Sequence, residues 1–123
     1  MTVVGQTAVV RYFTQDGRDA MYDMAKLKKL GALGEGASEA TKAFWAFDKA
    51  AMADGAVPKK YKELIAVAVA LTTQCPYCLE LHRVGAVTAG ATQEELAETA
   101  LVAAALRAGA AITHAAHVMG EGK

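Results

Sequence analysis

The stretch ELIAVAVALTTQCPYCLELH, Glu63 to His82, holds both cysteines of this 123-residue chain. Cys75 and Cys78 stand at C-x-x-C spacing, and His82 follows Cys78 by four residues. Four residues are about one helical turn, so thiol and imidazole share a helix face. Leu64 to Leu71 is apolar at every position, which predicts a helix buried on most sides. Thr72-Thr73-Gln74 interrupts that run, and Pro76 suits the first turn of the next helix, where its missing N–H costs nothing. The stretch therefore reads as two antiparallel helices joined at a short break.

That hairpin also explains Glu63. From Glu63 to the break at Thr73 is roughly 15 Å of helix, and from Cys75 back to His82 is roughly 10 Å. The returning helix brings His82 nearly level with Glu63, where a carboxylate can orient the imidazole and take up its proton. The order Glu63, His82, Cys78, Cys75 follows. If Pro76 marks the helix start, both thiols lie in its first turn, where unpaired N–H groups and the dipole lower their pKa. His82 is placed to take the proton from Cys78. An acid, an imidazole and two thiols in this order point to thiol redox chemistry.

Working outward, Pro58 falls in the first turn of the helix that carries Glu63. Ser38 reads as the N-cap of a preceding helix ending at Gly55, with Phe44, Trp45 and Phe47 as core and a pocket or subunit contact as the minority reading. Asp16 or Asp19 is expected to cap a first helix to about Leu30, with Met21, Met24, Leu27 and Leu30 on one core-facing side. Gly31, Gly34 and Gly36 are expected to break it into a loop. On the other side, the hairpin's second helix stops near Gly90. Thr92-Gln93-Glu94-Glu95 is a capping box opening a helix through Ala116, apolar enough to lie in the core or against another subunit, with a bend at Gly109. Residues 1–13 fit a short strand, an extended arm or an oligomer contact.

Composition supports an all-α fold. Apolar residues make up 54 % of the chain and there are only two prolines, while alanine, the best helix former, recurs in runs. The length is that of a single domain, 1–123. Thirteen basic residues balance thirteen acidic ones, which speaks against nucleic acid and anionic membrane as partners. The alanine-rich C-terminal segment carries Arg107 at its middle, so no membrane span is expected there. The N-terminus lacks a secretion signal pattern, so the expected compartment is the cytoplasm. A C-x-x-C pair there is more often catalytic or metal-binding than a structural disulfide.

The pattern E-x11-C-x-x-C-x3-H between two apolar helices, followed by Gly90-Ala91-Thr92, resembles the carboxymuconolactone decarboxylase-like family, in particular its alkylhydroperoxidase D branch. The resemblance covers about residues 55–120. It implies an all-α AhpD-like helical fold, trimers or hexamers, and reduction of a hydroperoxide without metal or organic cofactor. It also implies a dithiol or lipoylated protein as reductant. Cys78 then corresponds to the peroxidatic cysteine, Cys75 to the resolving one, and His82 and Glu63 to the proton relay. Alkylhydroperoxidase D has a histidine just before its second cysteine, where this chain has Tyr77; a phenol is a poor base at neutral pH, so the relay is shortened. The decarboxylases act on a cyclic lactone acid and do not depend on a C-x-x-C pair.

Two other readings compete. A zinc-binding structural module would use Cys75, Cys78, His82 and Glu63, although structural sites favour cysteine and histidine over a distant carboxylate. A non-redox enzyme of the same family would keep the thiols without using them. His114 and His117, three apart, have metal-ligand spacing but no third ligand nearby in sequence; packing or a subunit contact is the expectation.

Overall fold

A computed structural model describes residues 22–122. Within them every regular element is helical. Met24–Leu30 is a 3₁₀ stretch that passes directly into the short helix α1 (Gly31–Gly36). Then come α2 (Ser38–Met52), α3 (Lys59–Thr73), α4 (Pro76–Thr88) and α5 (Gln93–His114), with a final 3₁₀ turn at Ala115–His117. The helices α3, α4 and α5 form the packed body, α3 lying against both of the others, whereas α2 meets α3 over a small area.

The α3–α4 connection shows how the sequence makes a tight reversal. Gln74, at φ 54°, is in the left-handed region and ends α3, and its N–H and that of Cys75 both turn back to the carbonyl of Ala70. Cys75 is already the N-cap of α4, with Pro76 at the first position, as the spacing predicts. Gly90 closes α4 at φ 94°, a conformation that glycine adopts without a Cβ penalty. The capping box opening α5 is complete. Glu95 N–H donates to Thr92 Oγ1 at 3.1 Å, and Thr92 N–H donates to Glu95 Oε2 at 2.9 Å. The other oxygen of Glu95 receives Lys60 Nζ at 2.7 Å, tying α5 to α3.

Several expectations give way here. The glycines at 31, 34 and 36 do not form a loop; they lie on α1. The stretch before them is capped by Asp23, whose Oδ1 accepts from Ala25 N–H; Asp16, Asp19, Met21 and the arm at 1–13 lie outside the described residues. Ser38 is the first residue of α2 rather than its cap, and Pro58 precedes α3 as its N-cap. The helix α5 continues through Gly109.

The buried face is a narrow stripe. Leu64, Val67 and Ala70 of α3 pack with Ala86 of α4 and Ala103 of α5, so the close approach of helices rests on alanine. α3 is not buried on most sides, since Ile65 and Val69 are each 54 % exposed. Phe44, Trp45 and Phe47 are not core; all three are exposed on α2, with Phe44 and Trp45 in edge contact at 5.0 Å. Only Ala103 of α5 is buried within the chain.

Because the capping box supplies two of the bonds at the start of α5, Thr92→Ala is expected to lower stability by about 1 kcal/mol. Thr92→Ser should retain most of it. Urea unfolding of the two variants checks this, as a fall in midpoint for the alanine variant only.

Candidate active site

The α3–α4 hairpin sets Glu63 beside His82 as the helix lengths require. Glu63 Oε2 lies 2.7 Å from His82 Nδ1. The carboxylate is buried, with its side chain 7 % exposed, and its second oxygen accepts from Lys59 Nζ at 2.9 Å. Burial pushes the Glu63 carboxyl up, but the hydrogen bonds from Lys59 and then His82 outweigh it and hold its pKa below the ordinary value of 4.5. A carboxylate accepting on Nδ1 fixes the imidazole tautomer and leaves Nε2 as the basic nitrogen.

One backbone position makes this possible. A Cβ built on Gly85 would stand 2.6 Å from Glu63 Oε2 and 2.7 Å from its Cδ. Any side chain at 85 would displace the carboxylate, so α4 presents a bare backbone where Glu63 comes through. Neither Lys59 nor Gly85 was expected from the motif. Both stand at readable spacings, Lys59 four residues before Glu63 and Gly85 three after His82. The signal was there, but it has meaning only once the two helices are known to face each other.

The thiols are unjoined, with Sγ atoms 2.7 Å apart. Their acidities are not what the helix start alone predicts. Cys75 is the group held below the ordinary thiol value, chiefly because the Cys78 thiol donates to it, with the Cys78 and Tyr77 backbone N–H groups adding. Cys78 is pushed up by that same hydrogen bond and by burial. The expectation of two lowered thiols is therefore corrected. The two thiols are coupled through one hydrogen bond, and the N-cap position favours Cys75 as the one to ionise first.

The cavity lies on the side of Cys78. A cavity of about 390 Å³ is lined by Met52, Val57, Ile65, Val69, Cys78 and His82 among others, and Cys75 is not part of its lining. Its walls are almost wholly apolar. Lys62 reaches the edge, but two of its donors are taken by the carbonyls of Ala51 at 2.8 Å and Ala53 at 2.5 Å. Tyr77 is half-buried and meets Tyr22 edge-on at 5.9 Å.

The comparisons with known proteins agree with this architecture. The model of the carboxymuconolactone decarboxylase family matches residues 38–121. The chain belongs to that family. Among its relatives, "Uncharacterized protein 4 in cox locus" of Paracoccus denitrificans is 52 % identical over 99 residues, spanning 77 % of this chain and 88 % of that one. An uncharacterized protein of Cupriavidus necator is 44 % identical over 71 residues, or 58 % of this chain and 63 % of its own. Two solved structures share the fold. A carboxymuconolactone decarboxylase family protein from Legionella pneumophila, in its apo form, superposes with a TM-score of 0.61 at 39 % identity, over 65 % of this chain and 71 % of that one. A protein from Methanobacterium thermoautotrophicum superposes with a TM-score of 0.66 at 36 % identity, over 70 % and 97 %.

Within this family fold the four motif residues meet as two pairs, Glu63 with His82 and Cys75 with Cys78, and Cys78 and His82 line one cavity. Among the described residues no three His, Cys, Asp or Glu side chains are grouped to hold a metal ion, and Glu63 is turned to Lys59 and His82. His114 and His117 sit together at the exposed end of α5, ring centroids 5.5 Å apart.

The depressed Glu63 pKa has a consequence for stability. Its pairing contributes fully above the ordinary carboxylate value and is lost as pH falls through the lower folded value. Stability is expected to drop as pH falls below the ordinary carboxylate value of 4.5, and Glu63→Gln should flatten that slope. Urea midpoints measured across the range, with the same slope for both proteins, would remove Glu63 as the source.

Proposed function

We propose that this protein is a thiol-dependent hydroperoxide reductase of the alkylhydroperoxidase D type, working through a Cys75–Cys78 dithiol and disulfide. The observation that carries the reading is the shared cavity: Cys78 and His82 line it together, Cys78 in contact with Cys75 and His82 with Glu63. A non-redox arrangement has no use for a second thiol 2.7 Å from the first. The apolar walls, and a Lys62 ammonium already engaged with two carbonyls, favour an uncharged organic hydroperoxide over a lactone acid.

In the reduced pair each sulfur carries a proton, and Cys78 becomes the thiolate by passing its own to His82 Nε2. That sulfur attacks the outer peroxide oxygen; the S–O bond forms as the O–O bond breaks. His82 protonates the departing alkoxide, giving an alcohol and a sulfenic acid on Cys78. Cys75, the more acidic thiol, then attacks the Cys78 sulfur; its proton passes to the departing hydroxyl, which leaves as water as the disulfide closes. A dithiol donor restores the pair by exchange, its own sulfurs ending as a disulfide. The raised ground-state pKa of Cys78 fits this scheme, since a thiol paired with a proton acceptor stays protonated until substrate arrives and remains strongly nucleophilic when ionised.

Self-association belongs to the same proposal. Leu101, Leu106 and Ile112 on α5 are each at least 67 % exposed, more apolar surface than one soluble chain ordinarily leaves bare. By length and composition alone the segment Gln93–His117 is apolar enough to cross a membrane. Arg107 midway along it, and the packing of α5 on α3, favour further copies of the chain as the cover, three or six as in alkylhydroperoxidase D. Light scattering at micromolar protein should give a multiple of 12.8 kDa; a monomer mass ends this part of the proposal.

The two cysteines should fail differently. In a peroxide-consumption assay with several dithiols, dihydrolipoamide among them, Cys78→Ser is expected to abolish turnover and leave no sulfenic acid to trap. Cys75→Ser should react once and yield a trappable sulfenic acid at Cys78, without turnover. Sulfenic acid at Cys75 in the Cys78→Ser variant reverses the roles.

A further inference from the structure

The Glu63 carboxylate has two partners, and only one belongs to the motif. Lys59 is fixed at both ends. Its backbone N–H donates to Asp54 Oδ1 at 2.8 Å. Its ammonium donates to the Met52 carbonyl at 3.0 Å and to Glu63 Oε1 at 2.9 Å. The ammonium is thus held between the C-terminal end of α2 and the carboxylate. Gly85 closes the other side of the same carboxylate, so its two oxygens are assigned, Oε1 to Lys59 and Oε2 to His82.

We propose that Lys59 is a positioning residue for the acid–base pair, holding the Glu63 carboxylate on His82 Nδ1 and drawing off part of its charge. The proposal rests on reading Glu63 and His82 as such a pair, and it deepens that reading. The charged groups facing Glu63 are Lys59 on its own helix and His82 on α4; the end of α2 contributes only the Met52 carbonyl, through Lys59.

The chemical need for a third group is specific. An imidazole bonded to an undivided buried carboxylate is favoured as imidazolium, which cannot accept a proton from a thiol. Sharing the carboxylate with an ammonium lessens that pull. Removing Lys59 brings that failure where Glu63 is ionised, and a second one at lower pH. Burial, the largest influence on the Glu63 carboxyl and an upward one, is then opposed by His82 alone. A neutral carboxylic acid is a donor and no longer an acceptor. It donates to Nδ1, the proton moves to Nε2, and the nitrogen available to Cys78 loses its basicity.

The direction in pH follows. The Glu63 pKa is depressed in the parent, so the carboxylate form persists to low pH; without Lys59 it rises, and the carboxylate is lost at a higher pH. The acid limb of any rate that uses His82 as base should move up with it.

The test uses the full chain with Lys59→Met and Lys59→Arg. Two readouts do not require peroxidase turnover: ¹³C titration of the Glu63 carboxyl, and the pH profile of Cys78 alkylation by iodoacetamide, located by mass spectrometry. Lys59→Met is expected to raise the Glu63 titration by about one pH unit and to carry the acid limb of alkylation with it. At the foot of that limb the rate falls roughly tenfold. Lys59→Arg, which keeps the cation, should restore most of both. Superimposable profiles for Lys59→Met and the parent overturn the proposal. So does a loss of rate that is equal at every pH and equal in both variants, the mark of a merely structural residue. If Lys59→Met does not fold, titration of the parent decides: a Glu63 carboxyl at or above 4.5 overturns the proposal, and one below it upholds it. A parent protein that consumes no hydroperoxide would end the peroxidase reading while leaving these two readouts interpretable.

Discussion

The structure turns on a buried carboxylate. Glu63 sits inside the α3–α4 packing with its side chain 7 % exposed, and an unpaired ion there would cost several kcal/mol. Everything that makes it tolerable also makes the site. His82 supplies one hydrogen bond, Lys59 the other, and Gly85 the room. The carboxylate thereby fixes the register of two helices. A helical slip of one residue in either would carry Glu63 and His82 to different faces and leave the charge stranded. The hairpin and the Glu63–His82 contact are one constraint seen from two sides.

The turn that joins the helices does a second task. With Gln74 in the left-handed region and Cys75 as N-cap, a cysteine takes the place usually held by serine, threonine or aspartate at a helix start. A sulfur that accepts from the Cys78 N–H at 3.4 Å is favoured as thiolate, and the thiol one turn on becomes its donor. The tight reversal therefore separates two residues of equal chemistry into a more acidic thiol at the helix start and a less acidic one lining the cavity. For the proposed reaction that division is useful. The cavity-facing sulfur meets peroxide beside an imidazole, and the acidic sulfur is ready to resolve the product.

What could be read from the sequence was whatever depends on helical arithmetic. Rise per residue placed His82 level with Glu63, the proline marked the start of α4, and the threonine and glutamate of the capping box marked α5. The misreadings share a different cause. Gly31, Gly34 and Gly36 were expected to break a helix, yet short helices tolerate glycine when its neighbours carry the hydrogen bonds. Cysteine acidity was assigned to the helix dipole, which treats the thiols independently; a hydrogen bond across 2.7 Å makes them a pair and reverses the direction for Cys78. Gly85 escaped because its role exists only between helices, and Lys59 because an i,i+4 ion pair is ordinary until its carboxylate is known to be buried. Phe44, Trp45 and Phe47 were expected inside because aromatic clusters usually are, but α2 has too little contact with α3 to bury them within one chain.

That last failure bears on the site itself. Ile65 and Val69 are half-exposed on α3 and also line the cavity that holds Cys78 and His82. The cavity wall and the bare apolar face are thus the same helix surface. The far wall comes from Met52 and Val57, at the end of α2, which is held to α3 largely through the ammonium groups of Lys59 and Lys62 on the carbonyls of residues 51–53. A surface that covers Ile65 and Val69 would narrow the cavity mouth, exclude water and strengthen every charge interaction within. An uncovered cavity keeps its thiol near solvent, where the pull of His82 and Glu63 is screened. Association and chemistry are on this argument linked through two side chains, so the apolar face of α3 is part of the site and not merely its support.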